Sequence, residues 1–205
     1  IWVKKKGAQK PEDFEELLVE IHDRTKLPLS LDGVYRWIVF LPSRLDERVP
    51  VPNRWYGVWQ HGGMKYRGIE IRRHDTPNFV RDAQTGILNL MAGASDAKSL
   101  PAVLPEIVAL LRRYVDYLRN GQIELRDLVI RQTVSRELSE YEVLSAAARA
   151  AKQLVGVGKT PQPGQAIRFI YTRGKPGVFA WDLPDTPNPD HVEAGQYVKL
   201  LLRAA

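Results

Sequence analysis

The chain has 205 residues, 44% of them hydrophobic, a formal charge of +6 and no cysteine; this suffices for one or two small domains with a real core and excludes global disorder, disulfides and thiolate metal sites. Apolar runs such as Trp37–Leu41 are too short to span a bilayer and no secretory signal opens the chain, so the expected location is a reducing cytoplasm. The positive surplus favours a polyanionic partner, nucleic acid before membrane, although a merely soluble basic surface accounts for the charge as well.

In chain order, Ile1–Val3 reads as the end of a strand and Lys4–Lys10 as a polar turn. Pro11 opens a helix at a position where its missing N–H costs little, with Glu12, Asp13, Glu15 and Glu16 favourable to the dipole. Phe14, Leu17, Leu18 and Ile21 form its expected buried stripe. Val34–Leu41, β-branched and aromatic and closed by Pro42, predicts a buried strand. Arg54–Gln60 and Met64–Ile71 flank Gly62-Gly63 and predict a hairpin. Thr76 is placed to cap a helix with Pro77 at its first position, running to about Met91 on a Phe79, Ala83, Ile87, Leu90 face. Pro101–Asn120 predicts a long helix on Leu104, Val108, Leu111, Val115 and Leu118, stopped by Gly121. Leu128–Thr133 is extended, Ala146–Val155 an alanine-rich helix ended by Gly156, and Ala166–Thr172 a strand. Pro184–Pro189 is a loop and Val192–Leu202 a last helix. The break in character falls near Pro50–Asn53: α/β material before it, a hairpin and then mostly helix after it.

Two patterns imitate known chemistry. Gly156-Val157-Gly158-Lys159-Thr160 looks like the end of a phosphate-binding loop, but Gln153 stands where the first glycine belongs, a helix precedes, and Pro161 and Pro163 follow. A glycine helix stop explains it better. His22, His61, His74 and His191 show no metal-ligand spacing, and no serine sits in a nucleophile elbow. No self-contained catalytic site is expected.

The hairpin interleaves basic and aromatic residues: Arg54, Trp55, Tyr56, Trp59, Lys65, Tyr66 and Arg67. Cations meet phosphate and flat rings pack on sugar or base, which suits nucleic acid. The plainer reading is an amphipathic hairpin with a core face of Trp55, Gly57 and Trp59. Glycine at position 57 fits a close approach by another backbone or a ligand.

Here a family resemblance becomes specific. Val34-Tyr35-Arg36-Trp37-Ile38-Val39-Phe40-Leu41-Pro42-Ser43 resembles the palm strand of archaeal family B DNA polymerases. Asn53-Arg54-Trp55-Tyr56-Gly57-Val58 resembles the family's lysine-rich KKRY-type segment, which lies against the primer–template minor groove. Arg67-Gly68-Ile69-Glu70, then Arg72-Arg73-His74-Asp75, is similar to the turn where the family's thumb begins. Asp127-Leu128-Val129-Ile130, Thr133 and Ser139-Glu140-Tyr141 match the thumb's "LVI…T…L…Y" pattern, and Gln162-Pro163-Gly164 its glycine turn. Asn53, Trp55, Glu142, Ala146 and Ala147 depart from the pattern, with Glu142 bringing the wrong charge to one thumb–DNA contact.

The resemblance implies an α+β fold: a palm remnant of helix plus strands over about 1–52, then a hairpin and a mainly helical thumb over 53–205. It implies a nucleotidyltransferase part that grips primer–template DNA and works with the upstream palm, fingers and exonuclease portions, on the same chain or a separate subunit. The implied DNA contacts are Arg54, Tyr56, Lys65, Arg67, Arg72, Arg73, Thr133, Arg136 and Tyr141. The catalytic aspartates, which hold two magnesium ions in the complete enzyme, would lie upstream of Ile1, so no catalytic or metal residue is expected in this chain. Two origins fit this: a fragment, or the small subunit of a split methanogen polymerase. The rival reading is a non-catalytic DNA-binding module from an inactivated polymerase paralogue.

Overall fold

A computed structural model describes residues 2–43 and 45–205. The chain divides into two compact units, one reaching to Arg67 and including Ser95–Ser99, the other formed by Gly68–Ala94 and Leu100–Ala205. Positions 52 and 53 lie within one strand of the first unit.

The first unit opens with a 3-10 turn at Pro11–Phe14, continued by α1 (Glu15–Thr25). Asp13 accepts the N–H groups of Gln9 and Lys10 at 2.7 and 2.8 Å, so the acidic start is used as a cap. Its anticipated stripe is only half-buried, and no residue of α1 is fully enclosed. Three antiparallel strands follow: β1 (Tyr35–Pro42), β2 (Pro50–Trp59) and β3 (Met64–Arg67), with β2 in the centre. The hairpin turn uses Gly62 and Gly63 at φ +89° and +78°, which other residues rarely adopt. Its second strand stops at Arg67, and Glu70–Arg72 is a 3-10 turn rather than its continuation. Ile1 lies outside the described residues, and Trp2–Val3 is not a strand; the Trp2 ring packs edge-on against Phe40 at 5.2 Å.

The second unit is helical and also carries a sheet. Its helices are α2 (Asn78–Ala92), α3 (Leu104–Arg119), α4 (Ala146–Gly156) and α5 (Ala194–Ala204). Pro77 is the N-cap of α2, and Thr76 does not cap it: the Thr76 hydroxyl donates instead to Glu70 O at 2.8 Å. The inward face of α2 is Phe79, Val80, Ala83, Gln84, Ile87 and Leu88, with Leu90 half-exposed. A 3-10 turn at Leu100–Val103 precedes α3, whose stripe is buried only at Leu118; Leu104 and Val108 face solvent. Tyr114, Val115 and Leu118, in its C-terminal half, pack on the core. Gly121, at φ +65°, and the 2.8 Å bond from Gln122 N to Tyr117 O stop α3 as its sequence predicts.

The second sheet orders β4 (Ile130–Thr133), β5 (Ala166–Tyr171) and β6 (Val178–Ala180) antiparallel. β6 has too few residues to stand out in sequence. Its backbone is held by one side chain of α4: Gln153 donates to Val178 O at 2.7 Å and accepts from Ala180 N at 3.0 Å. Ile130, Ile167, Phe169, Ile170, Val178 and the alanines of α4 join Phe79, Val80, Tyr197 and Leu201 in one core. Small alanines at 147, 148, 150 and 151, nearly all fully enclosed, let α4 approach the sheet closely.

Candidate nucleic-acid interface

The register of the first sheet sorts the basic and aromatic residues. Trp55, Gly57 and Trp59 share one face of β2; opposite them stand Arg67 and Lys65 on β3, and Phe40 and Ile38 on β1. Arg54, Tyr56 and Val58 take the other face, with Tyr66 and Met64 from β3 and Trp37 and Val39 from β1. The expected contact residues of the hairpin therefore divide between two faces. Arg54 and Tyr56 lie together; Lys65 and Arg67 lie on the reverse side.

Each face has its own chemistry. On the first, Trp55 is 4% exposed, and Trp59 stacks on Tyr35 with centroids 3.8 Å apart. Lys65 forms an ion pair with Asp32 and stands 5.5 Å above the Trp59 ring, so its charge is already engaged. Burial, helped by Asp32, pushes the Tyr35 phenol up to about 12. Gly57 is required here: a Cβ would stand 2.9 Å from the Tyr35 ring and 3.0 Å from Trp37 O. The close approach is thus by β1. On the second face the Tyr56 ring meets Trp37 edge-on at 6.1 Å, and burial raises its phenol. Tyr56 is half-buried, with Arg54 beside it.

In the second unit Arg73 is bound by carboxylates. It bridges Asp75 at 2.8 Å and Glu70 at 3.3 Å, and Glu70 also receives Arg203 at 2.9 Å. Arg72, next to it, is exposed. Thr133 closes β4 opposite Ala166. The following turn folds back so that the Tyr141 hydroxyl accepts Ser135 N–H at 3.1 Å and Arg136 lies 5.5 Å over the Tyr141 ring. The Ser135 hydroxyl, first among its neighbours, holds the Tyr141 phenol below its ordinary value. Thr133 and Arg136 are exposed and Tyr141 is half-buried, with Glu142 next to it.

Sequence reasoning passed over Arg131 and Arg168. They are direct cross-strand neighbours on the exposed face of β4–β5, the face that ends in Thr133, and Asp182 pairs with Arg168. The signal was the period-two alternation Ile130-Arg131-Gln132-Thr133 beside Ile167-Arg168-Phe169. The look-alike phosphate loop is a helix stop: Gly158 sits at φ +79° after α4, and Lys159 donates to Asp182 O. Among the described residues no group of three or more His, Asp or Glu side chains could hold a metal. No helix among these residues is long and apolar enough to cross a membrane.

Each unit carries a small antiparallel sheet with basic residues, and the fold is a mixture of helices and strands. Residues 54–199 match the model of DNA polymerase family B, and the chain belongs to that family. It is 25% identical over 166 residues to DNA polymerase 1 of Sulfolobus acidocaldarius, which covers 80% of this chain and 18% of the relative. It is 25% identical to DNA polymerase 2 of Aeropyrum pernix, covering 82% and 19% respectively. The fold matches the family B DNA polymerase of the hyperthermophilic archaeon Pyrobaculum calidifontis, with a TM-score of 0.66, 20% identity, 98% of this chain covered and 25% of that one. The chain spans about a fifth of the length of these two curated relatives.

Proposed function

We propose that this chain grips primer–template duplex during template-directed DNA synthesis, with residues 1–52 as the end of a palm and 53–205 as a thumb. The observation that carries the reading is the family match over 54–199, which begins at Arg54, on the sheet face that also holds Tyr56. The upstream palm, fingers and exonuclease portions are its partners, on the same chain or a separate subunit. Magnesium held by palm carboxylates outside this chain supplies the metal chemistry, and the grip supplies geometry: a primer end held in line reacts faster because its orientation is already set. Exposed arginines such as Arg72 and Arg131 meet phosphates, while Arg54 and Tyr56 face the minor groove, whose degenerate pattern suits an enzyme that must accept every sequence.

A non-catalytic DNA-binding module is favoured by one observation, the replacement of cations by Trp55 and Glu142. Primer extension separates the two readings. The chain is assayed alone and together with an upstream fragment carrying the palm carboxylates, and that fragment is assayed by itself. The polymerase reading expects magnesium-dependent extension that rises when the two are combined; an upstream fragment indifferent to this chain rejects it. In the assembled enzyme Arg54→Ala weakens primer–template binding by about 1–3 kcal/mol while circular dichroism stays unchanged. Unaltered binding removes Arg54 from the interface.

A further inference from the structure

A cavity of about 490 Å³ opens in the second unit between the start of α4, the end of β5, the β5–β6 turn and the start of α5. Its wall includes Arg149, Thr172, Gly174, Gly177, Glu193 and Gln196. None of these belongs to the contact set implied by the family resemblance.

The guanidinium of Arg149 is incompletely used. Its Nη1 donates to Leu144 O at 3.2 Å, but its Nε is fully buried with no hydrogen-bond partner. No salt bridge to Arg149 occurs among the described residues. A buried N–H donor without an acceptor costs free energy, because it has left water and received no partner in return. The bonded Nη1 leaves the Nε–Nη2 edge, which is the side of an arginine that grips two oxygens of one oxyanion. Gly177 borders that edge: a Cβ there would come to 4.0 Å from Nη2. Gly174 and Gly177, at φ +72° and +79°, keep the turn free of side chains.

We infer that this cavity is an oxyanion site that takes a phosphate group, with the Arg149 guanidinium as its anchor. Glu193 is the acidic group on the wall, and its Oε1 already accepts the Gly195 N–H at 3.1 Å. Its charge disfavours a dianion, so a singly charged phosphodiester is taken in preference to a phosphate monoester. Such a group comes from a nucleic-acid backbone or from a free phosphate compound. The backbone source rests on the function proposed above; the site itself does not.

The test uses the full 205-residue chain and two probes. In the first arm, dimethyl phosphate and inorganic phosphate are titrated at constant ionic strength against nitrogen-15-labelled protein. The Arg149 Nε–H resonance and the Gly174 and Gly177 amides shift saturably, more for the diester. They do not shift with sodium chloride, and Arg149→Gln abolishes the effect on the two glycines. In the second arm, the salt dependence of duplex DNA binding is compared between the unaltered chain and Arg149→Gln. Loss of one phosphate contact lowers the slope of log affinity against log salt by about 0.9. Arg149→Lys, which keeps the charge, restores part of it and serves in both arms if the glutamine variant fails to fold. Resonances indifferent to both phosphates, together with an unchanged slope, overturn the site. Shifts without a change in slope assign it to free phosphate compounds and reject the backbone source. A chain that binds no duplex at all defeats the function proposed above, while the first arm still decides the site.

Discussion

Two tyrosines show how much a single hydroxyl carries. Tyr197 is fully enclosed; its oxygen accepts Tyr171 N–H and donates to Leu128 O, both at 2.9 Å, tying α5 to β5 and to the turn before β4. Burial drives its phenol well above the ordinary value, so it stays a neutral donor. Tyr197→Phe strands two backbone groups and is expected to cost about 1–3 kcal/mol in urea denaturation; a loss under about 0.5 kcal/mol would mean water replaces the hydroxyl. Asp75 belongs to the same scale. The hydrogen bond from Arg73 holds its carboxyl below the usual range, against partial desolvation. Its folded value lies below its unfolded one, so its contribution is complete above about pH 4 and disappears as pH falls through the folded value. Because the Arg73 side chain is half-exposed, the pair contributes at most about 1 kcal/mol. Asp75→Asn should flatten part of the acid limb of stability against pH. An acid limb parallel to that of the unaltered protein rejects the assignment. Sequence spacing put Arg73 and Asp75 in one turn, but which cation keeps its charge for a ligand depends on the carboxylates that folding brings near it.

Among the elements, helices with strong stops were legible and short strands were not. The end of α3 at Gly121 follows from residues local to it, while α4 runs through Gly156, the expected stop, and is followed instead by Gly158 at φ +79°. β6 spans Val178–Ala180, and its place depends on Gln153, twenty-five residues earlier than Val178. Gln153 stands in for the missing neighbouring strand, offering a donor and an acceptor to an edge that would otherwise be open. Gln153→Ala is expected to cost about 1–3 kcal/mol and to speed hydrogen exchange at Ala180 N–H. Unchanged protection there would show that the edge is held by packing alone. The helix pair α2–α3 depends on Gly86, where a Cβ would stand 2.9 Å from Leu110 Cδ2. A glycine inside a helix looks like a propensity defect in sequence, yet here it is what permits the helices to approach.

Across the whole molecule, enclosed apolar side chains are distributed unevenly. The second unit gathers α2, α4, α5 and the β4–β6 sheet around one core, whereas α1 of the first unit has no enclosed residue, and Val19, Leu27, Leu29 and Leu31 lie exposed. Local opening is cheapest where few apolar contacts must be broken. Amide exchange followed by mass spectrometry should therefore label Glu15–Thr25 early and Ala146–Gly156 with Ala166–Tyr171 late. Equal protection across both sets would mean that α1 is covered in solution. The compact units divide at Arg67–Gly68, while β2 runs through the composition change at Pro50–Asn53 and carries its pairing on to Trp59.

The sequence by itself determined the periodic helices, the Gly62-Gly63 hairpin and the family, because each rests on neighbours in the chain or on an ordered set of motifs. Tertiary structure alone decided the opposite faces of Arg54 and Lys65, the engagement of Arg73 and the bare Nε of Arg149. These depend on which distant groups arrive beside a side chain, and a charge is neutralised, buried or left to a ligand only by what folding places within a few ångströms of it.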